Sequence, residues 1–161
     1  MRKAANHACS MPSSSGPPSP AQGGSPTPAF EDATVADVMH VGIVTASPDA
    51  PLATVARTMA SHHVHCVAVL GVRAADGEHL VWGTISDLDV ARAAWSGEEP
   101  DAGALAVTPA VSVEQGAPLS EAVGLMLGHA VTHLVVTDGD ARPIGVLSTL
   151  DVAGVVAWGR A

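Results

Sequence analysis

The chain is short of positive charge and of aromatic rings, and each shortage narrows what it can do. Lys3 is its one lysine, and the formal charge is −9 at pH 7. None of Arg57, Arg73, Arg92, Arg142 and Arg160 has a lysine or arginine within four positions. Gripping a phosphate backbone takes clustered Lys and Arg, so no nucleic-acid partner is expected. With three Trp, one Phe and no Tyr, the core has to be assembled from Val, Ala and Leu. Cysteine is scarce as well. Cys9 lies in a polar leader and Cys66 inside an apolar run, which gives no disulfide framework and fits a reduced, cytoplasmic setting. No apolar stretch approaches the roughly 20 residues of a membrane helix. Arg2 and Lys3 are followed by no hydrophobic segment of a signal peptide. The expectation is a soluble protein with no membrane partner.

Enzyme signatures are missing too. There is no G-x-S-x-G, no phosphate loop ending in Gly-Lys-Ser/Thr, no G-x-G-x-x-G and no H-E-x-x-H. Asp87 and Asp89 sit two apart at a helix start and do not face each other as an acid/base pair would. No catalytic residue and no required cofactor are therefore expected.

What the sequence does contain is a repeat. Pro51 through Val69 returns as Pro118 through Val136, a shift of 67 positions. Gly83-Thr84-Ile85-Ser86-Asp87-Leu88-Asp89-Val90 returns as Gly145-Val146-Leu147-Ser148-Thr149-Leu150-Asp151-Val152, a shift of 62. The loop between the two matched segments is thus five residues longer in the first copy. Two copies are too few for a solenoid, which needs about three, so the halves are expected to pair around a common core with pseudo-two-fold symmetry. A cleft between them is a natural binding place. At 161 residues, 47% of them apolar, the chain fits one globular domain and a tail. Residues 1–31 are rich in Ser, Pro and Gly and cannot bury enough apolar area to offset their ordering entropy; a disordered leader is expected there. Repeat one is assigned to residues 32–97 and repeat two to 98–161.

Each repeat reads as β-α-β-β-α, an α/β (α+β) fold of small mixed sheets packed with helices. In the first, Ala33–Met39 reads as a capped helical turn and Val41–Thr45 as a β-branched strand. Pro51 opens a helix carrying Leu52, Val55 and Met59 on one face. Strands follow at His65–Val72 and Leu80–Ile85, joined by a turn at Arg73–Glu78, and Ser86 starts a helix that Gly97 ends. The second copy has strands at Ala110–Val113, Thr132–Val136 and Ile144–Leu147, with helices from Leu119 to about Gly128 and from Thr149 to about Trp158.

These words in this order resemble the cystathionine β-synthase (CBS) domain family, whose repeats usually pair into one stand-alone, Bateman-type module. The resemblance rests on Val35-Ala36-Asp37-Val38-Met39, Val44-Thr45-x-x-Pro48-x-x-x-Leu52, the helix ending in Met59, the strand His65–Val69 and Gly83 to Asp89. In the second copy it rests on Val111-Ser112, Leu119, Met126, Thr132–Val136 and Gly145 to Asp151. It covers roughly Ala33 to Ala157. The chain departs from the family where Ala68 and Val135 replace a frequent proline, and where the second leader, Ala104–Val107, lacks the Asp and Met of the first.

Ser86 with Asp89, and Ser148 with Asp151, are the sharpest candidate site residues. Free amides and the positive end of a helix favour a phosphate at such a place, while Ser-x-x-Asp is equally close to a capping box. The resemblance implies that the Ser contacts phosphate and the Asp accepts from ribose hydroxyls of AMP, ADP, ATP or an S-adenosyl compound. It also places Thr45 and Ser112 facing the cleft, and Val64 and Val131 where a base can be sandwiched. Among the cations Arg142 reads as best placed, ahead of Arg57 and Arg92. That supply is thin and favours a ligand of little phosphate charge, such as AMP or adenosine. The run His62-His63-Val64-His65-Cys66 invites a zinc reading. A helix end and alternating strand faces cannot converge such residues, so no metal site is expected, and the histidines are read as helix caps or cleft borders. The expected function is an adenosine-type sensor that homodimerises and acts on an unknown regulated protein. The alternative is a ligand-free dimerisation or interaction module in which the Ser/Asp pairs only cap helices.

Overall fold

The computed structural model describes residues 30–72 and 79–158. The Ser/Pro/Gly leader up to residue 29 and the turn expected at Arg73–Glu78 lie outside the described residues. Order opens with a 3₁₀ turn, Phe30–Asp32, followed by α1 (Val35–Val38), β1 (His40–Val41), β2 (Thr45–Ala46) and α2 (Leu52–His62). Then come β3 (Cys66–Val72), β4 (His79–Ser86), α3 (Asp87–Ser96), α4 (Ala102–Leu105) and β5 (Ser112–Glu114). The chain finishes with α5 (Leu119–His129), β6 (His133–Thr137), β7 (Pro143–Ser148) and α6 (Thr149–Trp158). Both β-α-β-β-α units are there: β2-α2-β3-β4-α3, and β5-α5-β6-β7-α6.

The single strand expected at Val41–Thr45 is in fact two, and they belong to different sheets. β1 runs antiparallel to β7 of the second repeat, with His40 opposite Val146, while β2 runs parallel to β3 of the first, with Thr45 opposite Ala68. Gly42, at φ 96°, turns the chain between them, a conformation open to glycine and strained for residues with a Cβ. β-branched composition makes a segment extended but cannot say which sheet it joins. The second leader does the same in reverse: Val107 bridges to Thr84 on β4 of the first repeat. By the shifts of 67 and 62, Val107 is the counterpart of His40, and Thr84 of Val146. The first leader therefore adds a strand to the sheet of the second repeat and the second leader a single bridge to that of the first, giving sheets of order β1-β7-β6-β5 and β2-β3-β4.

The cores record the same exchange. Val35 and Val38 of α1 lie in the cluster of the second repeat with Val113, Leu119, Met126, Leu134, Val136 and Leu147. Ala102 of α4 lies in the cluster of the first, with Val55, Met59, Val67, Val69 and Ile85. A fully buried valine contributes roughly 1.5–3 kcal/mol, so Val35 ties the halves together as firmly as any contact within them. Ala68 and Val135, at equivalent places, are buried yet sit in neither cluster. Side chains alternate across a strand, so Ala68 shares the face of Cys66, which borders the second repeat. No described helix is long and apolar enough to cross a membrane.

Candidate ligand cleft between the repeats

The first repeat supplies the start of α3. Ser86 is its N-cap, in extended conformation, and Gly97 closes the helix in the left-handed region. The Ser86 amide and hydroxyl both donate to Asp89 Oδ2, at 2.9 and 2.6 Å, and the Asp89 amide donates to Ser86 Oγ at 3.3 Å. This is a complete capping box. The other carboxylate oxygen, Oδ1, accepts from Arg92 Nη1 at 3.3 Å, one turn further along the helix. The second repeat supplies the opposite wall, the end of α5 and the start of β6: His129, Ala130, Val131, Thr132 and His133. Ala130 caps α5 at φ 53°, which turns the chain sharply into the cleft. Between the walls is a cavity of about 130 Å³ that Cys66, Thr84 and Val107 also line.

Charge in the cleft is balanced by burial. Burial pushes the Cys66 thiol up to about 12, aided by the carboxylates of Asp89 and Asp87. The thiol is therefore protonated at neutral pH. Burial also holds His133 below the ordinary imidazole value, while Asp87 pulls the other way. Asp87 itself is held below the usual carboxylate range by its contact with His65 Nδ1 at 2.8 Å. Among the described residues no group of three or more His, Cys, Asp or Glu side chains is arranged to hold a metal ion.

The second candidate pair repeats the cap. Ser148 amide and hydroxyl donate to Asp151 Oδ2, each at 2.7 Å, and the Asp151 amide donates back to Ser148 Oγ at 3.3 Å. Its Oδ1 has a different partner, His40 Nδ1 at 3.1 Å.

Ser86, Asp89 and Val131 thus meet in one cavity. Val64, the counterpart of Val131, lies instead on a groove between α2 and α3 with Met59, His63, His65 and Val90. Thr45 and Ser112 are exposed strand residues, opposite Ala68 and Val135, and neither lines the cavity around Ser86. Arg142 does not either. It lies beyond the far end of β7 from Ser148, a strand of six residues and so roughly 20 Å away, and pairs with Asp140 at 3.2 Å. Proximity in sequence to β7 misled here, because a strand carries its two ends apart. The cleft cation is Arg92, whose signal was helical spacing: i+3 from Asp89 puts it on the same face. His40 carried no signal in sequence, since only the strand exchange brings it to Asp151.

Paired half-domains whose leaders cross over, with a cleft at the capped start of α3, define a class of repeat-pair modules. The sequence pattern of the CBS domain matches residues 35–96 and 102–157, and the chain belongs to that family. No curated protein sequence matches it. Among solved structures it is similar to the CBS domain pair of protein MJ0100, in complex with 5′-methylthioadenosine and S-adenosyl-L-methionine. There the TM-score is 0.66 at 15% identity, over 78% of this chain and 96% of that one. The CBS domain protein PAE2072 of Pyrobaculum aerophilum, complexed with AMP, has TM-score 0.63 at 21% identity, over 74% and 89%. Hypoxic Response Protein I, with two coordinated zinc ions, has TM-score 0.58 at 25% identity, over 76% and 98%.

Proposed function

We propose that the chain is a regulatory sensor that binds an adenosine-type ligand, an adenine nucleotide or S-adenosyl compound, between its repeats. One observation carries the reading: the α3 start with Ser86 and Asp89 opens into a cavity walled by both repeats, with Arg92 on its rim. A ligand there touches both halves, so its binding can bias their relative placement, provided it prefers one arrangement. The Ser86 hydroxyl and the helix start suit a phosphate; Asp89 Oδ1, held by one exposed arginine, suits a ribose diol. Bound AMP in the Pyrobaculum protein and adenosyl compounds in the MJ0100 pair support the ligand class. We place the module in the cytoplasm, acting as a homodimer on a regulated protein.

A second reading is favoured by the caps themselves. Both boxes are complete without any ligand, as an interaction module that binds no small molecule requires. A thermal-shift series with AMP, ADP, ATP, adenosine, S-adenosylmethionine and GTP separates the two. Ligand at 100 times its Kd adds about 2.7 kcal/mol, a rise of several degrees. A rise that Asp89→Asn abolishes, with stability kept within about 1 kcal/mol, supports the sensor. No rise with any of them leaves the caps as structure only.

A further inference from the structure

The two Ser-x-x-Asp helix starts are related by the repeat, and substitutions between the copies make them unequal. Val107 and His40 hold the same place, each on a leader that crosses to the other repeat. Val107 lines the cavity beside Ser86 and Asp89 and offers no polar atom from its side chain. His40 instead reaches Asp151 Oδ1. Asp151 Oδ2 is already taken by Ser148, so both carboxylate oxygens are spent inside the protein, and the side chain is 5% exposed.

Asp89 is also held on both oxygens, but by a tether of another kind. Arg92 and His40 are both exposed, 69% and 78%, and what sets Arg92 apart is its longer side chain. Its guanidinium has five donors, so it can keep Asp89 and still meet a phosphate. The counterpart of Arg92 in α6 is Gly154, by the shift of 62. His40 has two side-chain torsions and a backbone fixed in the ladder with β7. To let a ribose reach Asp151 it has to give up the contact, and no cation stands ready in its place on α6.

We propose that His40 is a latch on the Ser148–Asp151 helix start, so that each chain takes one anionic adenosine-type ligand, at Ser86 and Asp89, rather than two. The proposal rests on the sensor reading above and adds which cleft binds and what closes the other.

Titration calorimetry of the full chain with AMP tests it. The wild type should bind one AMP per chain, lost in Asp89→Asn and kept in Asp151→Asn. His40→Val, which gives position 40 the residue type of position 107, should open a second site at least about 10-fold tighter than any the wild type shows there. That site should vanish in the double variant with Asp151→Asn. His40→Asn keeps an N–H donor near the place of Nδ1 and should behave as the wild type. Two equal sites in the wild type, a single site that depends on Asp151, or one site still in folded His40→Val would each overturn the latch while leaving the sensor reading in place. Should His40→Val fail to fold, His40→Ala reads the same second site. No AMP binding by any variant would overturn the sensor reading and the latch with it.

Discussion

The backbone carbonyl of His40 stands where a Cβ on Gly145 would have to be. Val107 does the same to Gly83: a Cβ there would lie 2.9 Å from the Val107 carbonyl oxygen and 2.7 Å from Thr108 Cγ2. The glycine that opens each repeat's Gly-to-Asp motif is thus where the leader of the other repeat passes against the sheet. Gly145→Ala and Gly83→Ala should each destabilise by about 1–3 kcal/mol, as overpacking against fixed backbone does. Gly124→Ala, on α5 with open space around it, should stabilise by about 0.5–1 kcal/mol. Urea unfolding of the three variants checks the opposite signs.

Arg92 and Arg142 make a matched pair for the ligand's phosphate. A charged hydrogen bond contributes about 1.5–3 kcal/mol, so Arg92→Gln should weaken AMP at least about 10-fold. Adenosine, with no phosphate, should lose little. Arg142→Gln should leave both unchanged. Equal losses for AMP and adenosine in Arg92→Gln would mean that the arginine supports Asp89 rather than the phosphate.

His133 sets a pH dependence. Burial lowers its folded value below the ordinary one near 6.5, against the pull of Asp87, Asp151 and Asp89 and with the push of His65. The unfolded chain then binds the proton more readily, so this contribution is full above about pH 6.5 and is lost as pH falls towards the folded value. Melting midpoints should decline between about pH 7 and 5, and His133→Gln should flatten that decline. Asp87, held down by His65, acts in the same direction but in the carboxylate range, below about pH 4. A steeper decline in His133→Gln would show that another group dominates.

Trp95 on α3 and Trp158 on α6 are 93% and 80% exposed, with Leu88, Leu150 and Val156 also open on the same helices. Large exposed apolar side chains grouped on helix faces mark association surfaces. Sedimentation at micromolar concentration should give a dimer, and the Trp95→Ser, Trp158→Ser double variant a monomer. A monomeric wild type would end this assignment.

Local rules made much of the fold legible. Pro51 and Pro118 at helix starts, Ser86 and Ser148 as caps, Gly97 as a stop and two copies of the motif fix α2, α3, α5 and α6 to within a residue or two of where they lie. Such signals act within one turn or one strand, and they work wherever the element ends up. The same locality explains the misreadings. Val41–Thr45 is extended throughout, but only tertiary pairing sends its two ends to different sheets. Arg142 is close to Ser148 in sequence and far in space, because β7 intervenes.

The two repeats, their elements and the Ser/Asp pairs are all legible along the chain, because period, cap and turn chemistry are short-range. Tertiary structure alone decided that the leaders cross over, that Arg142 stands away from the cleft, and that His40 meets Asp151 where its counterpart Val107 makes no polar contact with Asp89. Those are encounters between segments more than 20 residues apart, set by buried contacts such as Val35 in one core and Ala102 in the other.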